Sequence, residues 1–160
     1  MLILDTYNFK SRVQMDKMTP KTPEIQFLMI MRQIRLLGIA IIVTLTLIFF
    51  TGLAVSGSYV NPSLGIYNLV TFLLCPFLCV GSFLLKISML KKVTMANFTK
   101  SYFNAIVLPF ALSDLGGIIC ITTSLFVNQN ILYAAIGYVI TMLYLFLNFP
   151  REEDFKGFAE

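Results

Sequence analysis

The stretch Tyr102 to Val127, YFNAIVLPFALSDLGGIICITTSLFV, decides how the chain must be read. An α-helix needs about 20 apolar residues to cross a bilayer, and this stretch supplies them with one charged residue, Asp114, at its midpoint. Leu37 to Ser56, Ile66 to Leu85 and Ile131 to Asn148 have the same character. No water inside a bilayer can satisfy exposed backbone groups, so such runs must be helices. Strands are excluded by length and by the lack of period-two alternation. The expected fold is an all-α integral membrane protein: a four-transmembrane-helix bundle of two helical hairpins, with spans 37–56, 66–85, 102–127 and 131–148.

The whole composition points the same way. Hydrophobic residues make up 58% of the 160 and charged ones 12%, with mean hydropathy +0.82. An ordinary soluble domain is about 25% charged, and an 18.1 kDa core could not hide this apolar excess. With no histidine and no cluster of ligand-type residues, neither a metal nor another cofactor is expected. Cys75 and Cys79 lie one turn apart in one apolar run and Cys120 in another. Each reads as a small buried hydrophobe, with a Cys-x3-Cys metal or redox pair as the rarer alternative. The pI near 9.0 and net charge of +4 would suit nucleic acid, but the basic residues flank apolar runs, so the expected surroundings are a lipid bilayer and no nucleic acid.

Turn residues or charges close each run: Ser56-Gly57-Ser58 with Asn61-Pro62-Ser63, then Lys86 and Lys91-Lys92, then Asn128-Gln129-Asn130, then Pro150-Arg151. All twelve basic residues fall before the first span, between the second and third, or after the fourth. The connections 57–65 and 128–130 carry no charge of either sign. By the positive-inside rule both termini are expected in the cytoplasm. A cleaved signal peptide ending at Ala54-Val55-Ser56 is the rival for the first span, but that run is too long and its leading region too extended.

Residues 1–21 show no sustained period and are expected to be flexible, with Met15 and Met18 as alternative starts. Thr22-Pro23-Glu24 combines a capping residue, a proline suited to the first turn and an acid near the helix N-terminus. An amphipathic helix over 22–36 is therefore expected to lead into the first span, with Phe27, Leu28, Met31, Ile34 and Leu37 at helical spacing. Unbroken to Ser56 it would measure about 50 Å against a hydrocarbon core of roughly 30 Å. Its first third would then lie in the cytoplasm or the interface, or dock on a protein partner. Residues 149–160 are expected to form a cytoplasmic tail.

Asp114 is the candidate functional residue. An ionised carboxylate at the bilayer centre costs about 2.5–3.5 kcal/mol on insertion scales, so this one must be protonated, paired or in contact with water. Alternating threading brings Thr44, Thr46, Cys75, Tyr138 and Thr141 to similar depth, which makes hydroxyls its expected partners. Three roles stay open: a protonatable site for proton or cation movement, a neutral group holding helices together, and a contact to a second membrane subunit. Pro109 removes a backbone donor before the acid, and Gly116-Gly117 permits close helix approach beyond it. Pro76 sits at matching depth in the second span. Tyrosines near span ends form an interfacial belt.

The block from Tyr102 to Phe155, with Ala111-Leu112-Ser113-Asp114-Leu115-Gly116-Gly117, then Val127-Asn128-Gln129-Asn130, then Asn148-Phe149-Pro150-Arg151, resembles a group of small, uncharacterised four-span bacterial membrane proteins. Those proteins carry Ala-Leu-x-Glu-Gly in the third span; here Asp114 stands at the glutamate and the following turn lacks its glycine. The resemblance implies a bacterial cytoplasmic membrane and names no activity. The second and third spans are also distantly similar to the proteolipid hairpin of rotary ATP synthases, but without its glycine ladder or its Arg-Gln-Pro loop.

The sequence has no nucleophile–base pair and no metal constellation, so no enzyme is expected. The expected function is a structural or accessory subunit packing with itself or with a larger membrane protein. The alternative is a proton- or cation-translocating oligomer that uses Asp114.

Overall fold

The computed structural model describes residues 23–57, 64–94, 98–151 and 154. The expected flexible segment 1–21, the Thr22 cap, the Asn61-Pro62-Ser63 turn and most of the 149–160 tail lie outside the described residues. The described chain forms α1 (Pro23–Val55), α2 (Gly65–Leu90), α3 (Phe98–Thr122) and α4 (Ile131–Asn148), with a π-helical turn over Thr123–Val127 continuing α3. All four helices are long and apolar enough to cross a membrane. The protein is an all-α four-helix bundle of multi-pass membrane type.

The helices alternate in direction, which gives the bundle two chemically different ends. The start of α1, the end of α2, the start of α3 and the end of α4 meet at a basic end carrying Arg32, Arg35, Lys86, Lys91, Lys92, Lys100 and Arg151. The neutral end holds the 128–130 turn, where Gln129 lies beside Gly57 and Tyr133 stacks on Phe72.

Helix α3 is central. Half of its membrane span is buried, against 22–28% for the other three, and it packs against all of them. Helices α2, α3 and α4 pack mutually, while α1 lies along α3 and touches α4. Helices α1 and α3 run parallel: Phe27 meets Phe98 and Tyr102, Gly38 meets Phe110, and Gly52 meets Leu125. The apolar face of residues 27–34 is thus covered by α3 of the same chain, with Phe27, Ile30, Met31 and Ile34 all buried.

The turn between α3 and α4 is built from three polar residues. Asn128 N–H donates to Thr123 O over 3.2 Å and Asn130 N–H to Ser124 O over 2.7 Å, which satisfies carbonyls left over at the end of α3. Between them Gln129 takes φ 53°, a left-handed conformation that glycine adopts without steric cost. Asn130 then caps α4, its side chain accepting from Tyr133 N–H at 3.3 Å. The turn sits where the sequence places it, with glutamine in the conformation usually given to glycine.

Helices α3 and α4 approach through reciprocal notches. A Cβ added at Gly117 would lie 2.5 Å from Thr141 Cγ2 and 3.0 Å from its Cβ, and one at Gly137 would lie 2.5 Å from Cys120 Sγ. Each glycine receives the side chain opposite. Lipid tails are as apolar as leucine, so helix association in a bilayer draws on van der Waals contact, and small residues let backbones come close enough to make it. Pro76 and Pro109 both sit inside helices that continue past them.

These contacts predict a contrast between two glycines. Gly117→Ala forces a stiff, β-branched neighbour to move and should cost about 1–3 kcal/mol. Gly81→Ala meets nothing within 4 Å and should be neutral or slightly stabilising. Reversible unfolding in mixed detergent micelles measures both, and equal effects would contradict the packing described.

Candidate functional site

Polar groups divide into three sets: an interior seam, its cap at the basic end, and Asp114 on the flank. The seam follows from α2. Every buried residue of this helix carries a side-chain polar atom or sulfur: Asn68, Cys75, Cys79, Ser82 and Lys86. Their spacings of seven, four, three and four residues trace one helical face, while Leu73, Phe77 and Leu84 point outward, Phe77 being 74% exposed. A soluble helix shows the reverse pattern.

At mid-bundle the seam is made of thiols. Cys75 Sγ lies 3.4 Å from Thr141 Oγ1 and 3.8 Å from Gly137 O, and Cys79 and Cys120 join it in one buried cluster. Cys120 Sγ also faces Tyr133 O at 3.9 Å. All three cysteines are free. Spacing alone pairs Cys75 with Cys79, but the fold adds Cys120 from the neighbouring helix. Among the described residues no group of three His, Cys, Asp or Glu side chains is arranged to hold a metal ion.

Toward the basic end, hydroxyls and an amide replace thiols. Ser82 Oγ donates to Cys79 O at 2.7 Å and lies 2.6 Å from Ser113 Oγ. Asn148 Nδ2 donates to both serines, at 3.0 and 3.1 Å, so one amide ties α4 to α2 and α3 together. One turn further on, Lys86 Nζ donates to the carbonyls of Leu147, Asn148 and Phe149 at 3.3, 3.3 and 3.1 Å. These are the final carbonyls of α4 and its exit, the negative end of its dipole. Asp154 lies close enough to attract the ammonium and accepts from Arg151 N–H at 3.0 Å. Lys86, which the sequence presents as a charge just past a span, lies inside α2 and is 5% exposed. The signal that could have found it is the polar stripe itself, which reaches Lys86 in phase.

At the neutral end the seam finishes in groups with spare hydrogen-bonding capacity. Both polar atoms of the Asn68 side chain and Ser124 Oγ are buried and have no partner among the described residues, as does Asn148 Oδ1 at the other end.

Asp114 stands apart from the seam. It is half-buried, at the edge of the α3 face that Ser113 and Gly117 line. Gly38 is level with Phe110 and Gly52 with Leu125 or Phe126, so Asp114 falls near the level of Ile42 on α1, deep in the apolar span. No hydrogen bond or ion pair joins its carboxyl to another described residue. The hydroxyls placed at its depth by sequence are engaged elsewhere. Thr46 donates to Ile42 O and shares a 3.0 Å hydrogen bond with Tyr138, while Thr141 donates to Gly137 O and meets Cys75. Thr44 is exposed on the outer face of α1. Gly117 is occupied by Thr141, Gly116 packs on Leu78 and the Cys75 carbonyl, and buried Pro109 precedes the acid by five residues.

The enclosed thiols give a direct check. In mild detergent a membrane-permeant maleimide should leave Cys75, Cys79 and Cys120 unmodified, and denaturation in dodecyl sulfate should expose all three. Rapid labelling of the native protein would show that the α2–α3–α4 seam is open.

No protein-family model matches the chain, and no match to it is found among curated proteins or among solved structures.

Proposed function

We propose that the chain is a small structural or accessory subunit of a bacterial cytoplasmic membrane that assembles with a second copy or with a larger membrane protein through the flank bearing Asp114. The observation carrying this reading is the carboxyl itself. It is half-buried within an apolar span, and no described residue bonds to it. An ionised acid facing hydrocarbon is costly, so a hydrogen-bond partner supplied by a neighbouring subunit removes a penalty that the single chain leaves in place. Inside the bundle, by contrast, Asn148 and Lys86 join the helices of the single chain.

The orientation belongs to the same proposal. Every basic residue of the chain lies before or in the first part of α1, in the last part of α2, in the α2–α3 connection, in the first turn of α3 or after α4, and the two other connections are uncharged, which supports both termini facing the cytoplasm. A reporter fused after Glu160 should be active in the cytoplasm; activity on the other side would overturn this threading.

A proton- or cation-translocating oligomer is the second reading, favoured by the same half-buried carboxyl. The glycine notches close the interior between α3 and α4, and Asp114 lies on the flank, so a path along this carboxyl would run between chains.

Substitution separates the two. Asp114→Leu removes the polar contact and should weaken assembly about 5- to 30-fold, as expected for about 1–2 kcal/mol of interhelical hydrogen bonding. Asp114→Asn keeps a hydrogen-bonding side chain and should assemble normally, as read by native mass in mild detergent. Normal assembly of Asp114→Leu would exclude the contact role. Loss of ion-dependent dye response in Asp114→Asn vesicles, with assembly intact, would favour translocation.

A further inference from the structure

We propose that Arg32 and Arg35 form a binding site for the phosphate of an anionic glycerophospholipid, on the outer face of α1 at the basic end. A groove of about 180 Å3 lies there, lined by Leu28, Met31, Arg32, Arg35, Leu36 and Ile39. About 10–15 Å3 is enough to seat one water, so the groove has room for a group of several heavy atoms. The inference uses the membrane-spanning reading of the bundle and is independent of any role for Asp114.

Depth supports a headgroup. Gly38 packs against Phe149, one residue past the end of α4, so this level marks where the shortest span leaves the hydrocarbon. At 1.5 Å per residue, Arg35 lies about 4.5 Å and Arg32 about 9 Å beyond Gly38 along α1. The polar layer on each side of a bilayer is about 5–8 Å thick, so the two guanidinium groups fall at the height of lipid phosphates.

Chemistry supports a phosphate in particular. The two arginines are three residues apart and therefore share a helix face, and both are exposed. Guanidinium offers paired donors in a plane, matching two oxygens of a phosphate, which an ammonium does not. The groove is also amphipathic along its length. Exposed Leu36 and Ile39 continue it toward the hydrocarbon, where the first methylenes of an acyl chain would lie. A free phosphate would use the arginines and leave this apolar part unused.

The test is native mass spectrometry of the full chain in mild detergent, titrated with phosphatidylglycerol, phosphatidylcholine or inorganic phosphate. Retention of phosphatidylglycerol over phosphatidylcholine is expected, with no displacement by millimolar inorganic phosphate. Arg32→Gln with Arg35→Gln should weaken phosphatidylglycerol binding about thirtyfold, while Lys91→Gln with Lys92→Gln should leave it nearly unchanged. Equal loss in the two double variants would mean diffuse attraction to a basic surface and overturn the site. Displacement by phosphate would overturn the lipid as its occupant. Should the glutamine variant not fold, Arg32→Lys with Arg35→Lys keeps both charges. Loss of the lipid preference there supports the paired-donor geometry, and an unchanged preference overturns it.

Discussion

The absence of a hydrophobic driving force inside a bilayer is the constraint on which this structure turns. Surrounded by lipid, an apolar side chain gains little from facing inward, whereas a polar one loses a great deal by facing outward. Helix α2 therefore buries Asn68, Cys75, Cys79, Ser82 and Lys86 and leaves Leu73, Phe77 and Leu84 outside. The helices that receive this stripe have small or polar residues opposite it. Ser113, Gly116 and Cys120 come from α3 and Gly137, Thr141 and Asn148 from α4. Central position, burial and close approach all follow from which helix faces can accept α2.

Magnitudes show how the work is divided. An interhelical hydrogen bond in a membrane protein contributes about 0.6 kcal/mol on average, so the Ser82, Ser113 and Asn148 bonds add little net stability. They are geometrically selective, because one amide reaches two serines only in one rotational setting of the three helices. The Lys86 bonds likewise offset the cost of taking an ammonium out of water. Stability comes from packed surface, above all where Gly117 and Gly137 remove the atoms that would hold α3 and α4 apart.

The four spans were legible in the sequence because length and apolarity are enough to identify a membrane helix. Rotation about each helix axis was not. Helix α3 has apolar residues on every side, so nothing in its pattern shows that Ser113 faces the core while Asp114 lies at its edge. Charge alone singled out Asp114, and depth alone suggested its partners; the structure gives Thr46 to Tyr138 and Thr141 to Cys75. Lys86 was concealed by its position at the end of an apolar run, where a lysine ordinarily marks a boundary. The meeting of Cys120 with Cys75 depends on two helix rotations and one register, none of which spacing records.

The Lys86 cap also orders events in time. Its three acceptors lie 61 to 63 residues later in the chain, at the end of the last span. At about 5–20 residues per second a ribosome takes roughly 3–13 s to make that stretch. Throughout this interval the ammonium has none of its final partners, and the α2 stripe faces an unfinished bundle. Sealing of the bundle is thus tied to completion of the last span, and a chain stopped before Leu147 keeps a charged, unsealed edge that distinguishes it from the finished protein.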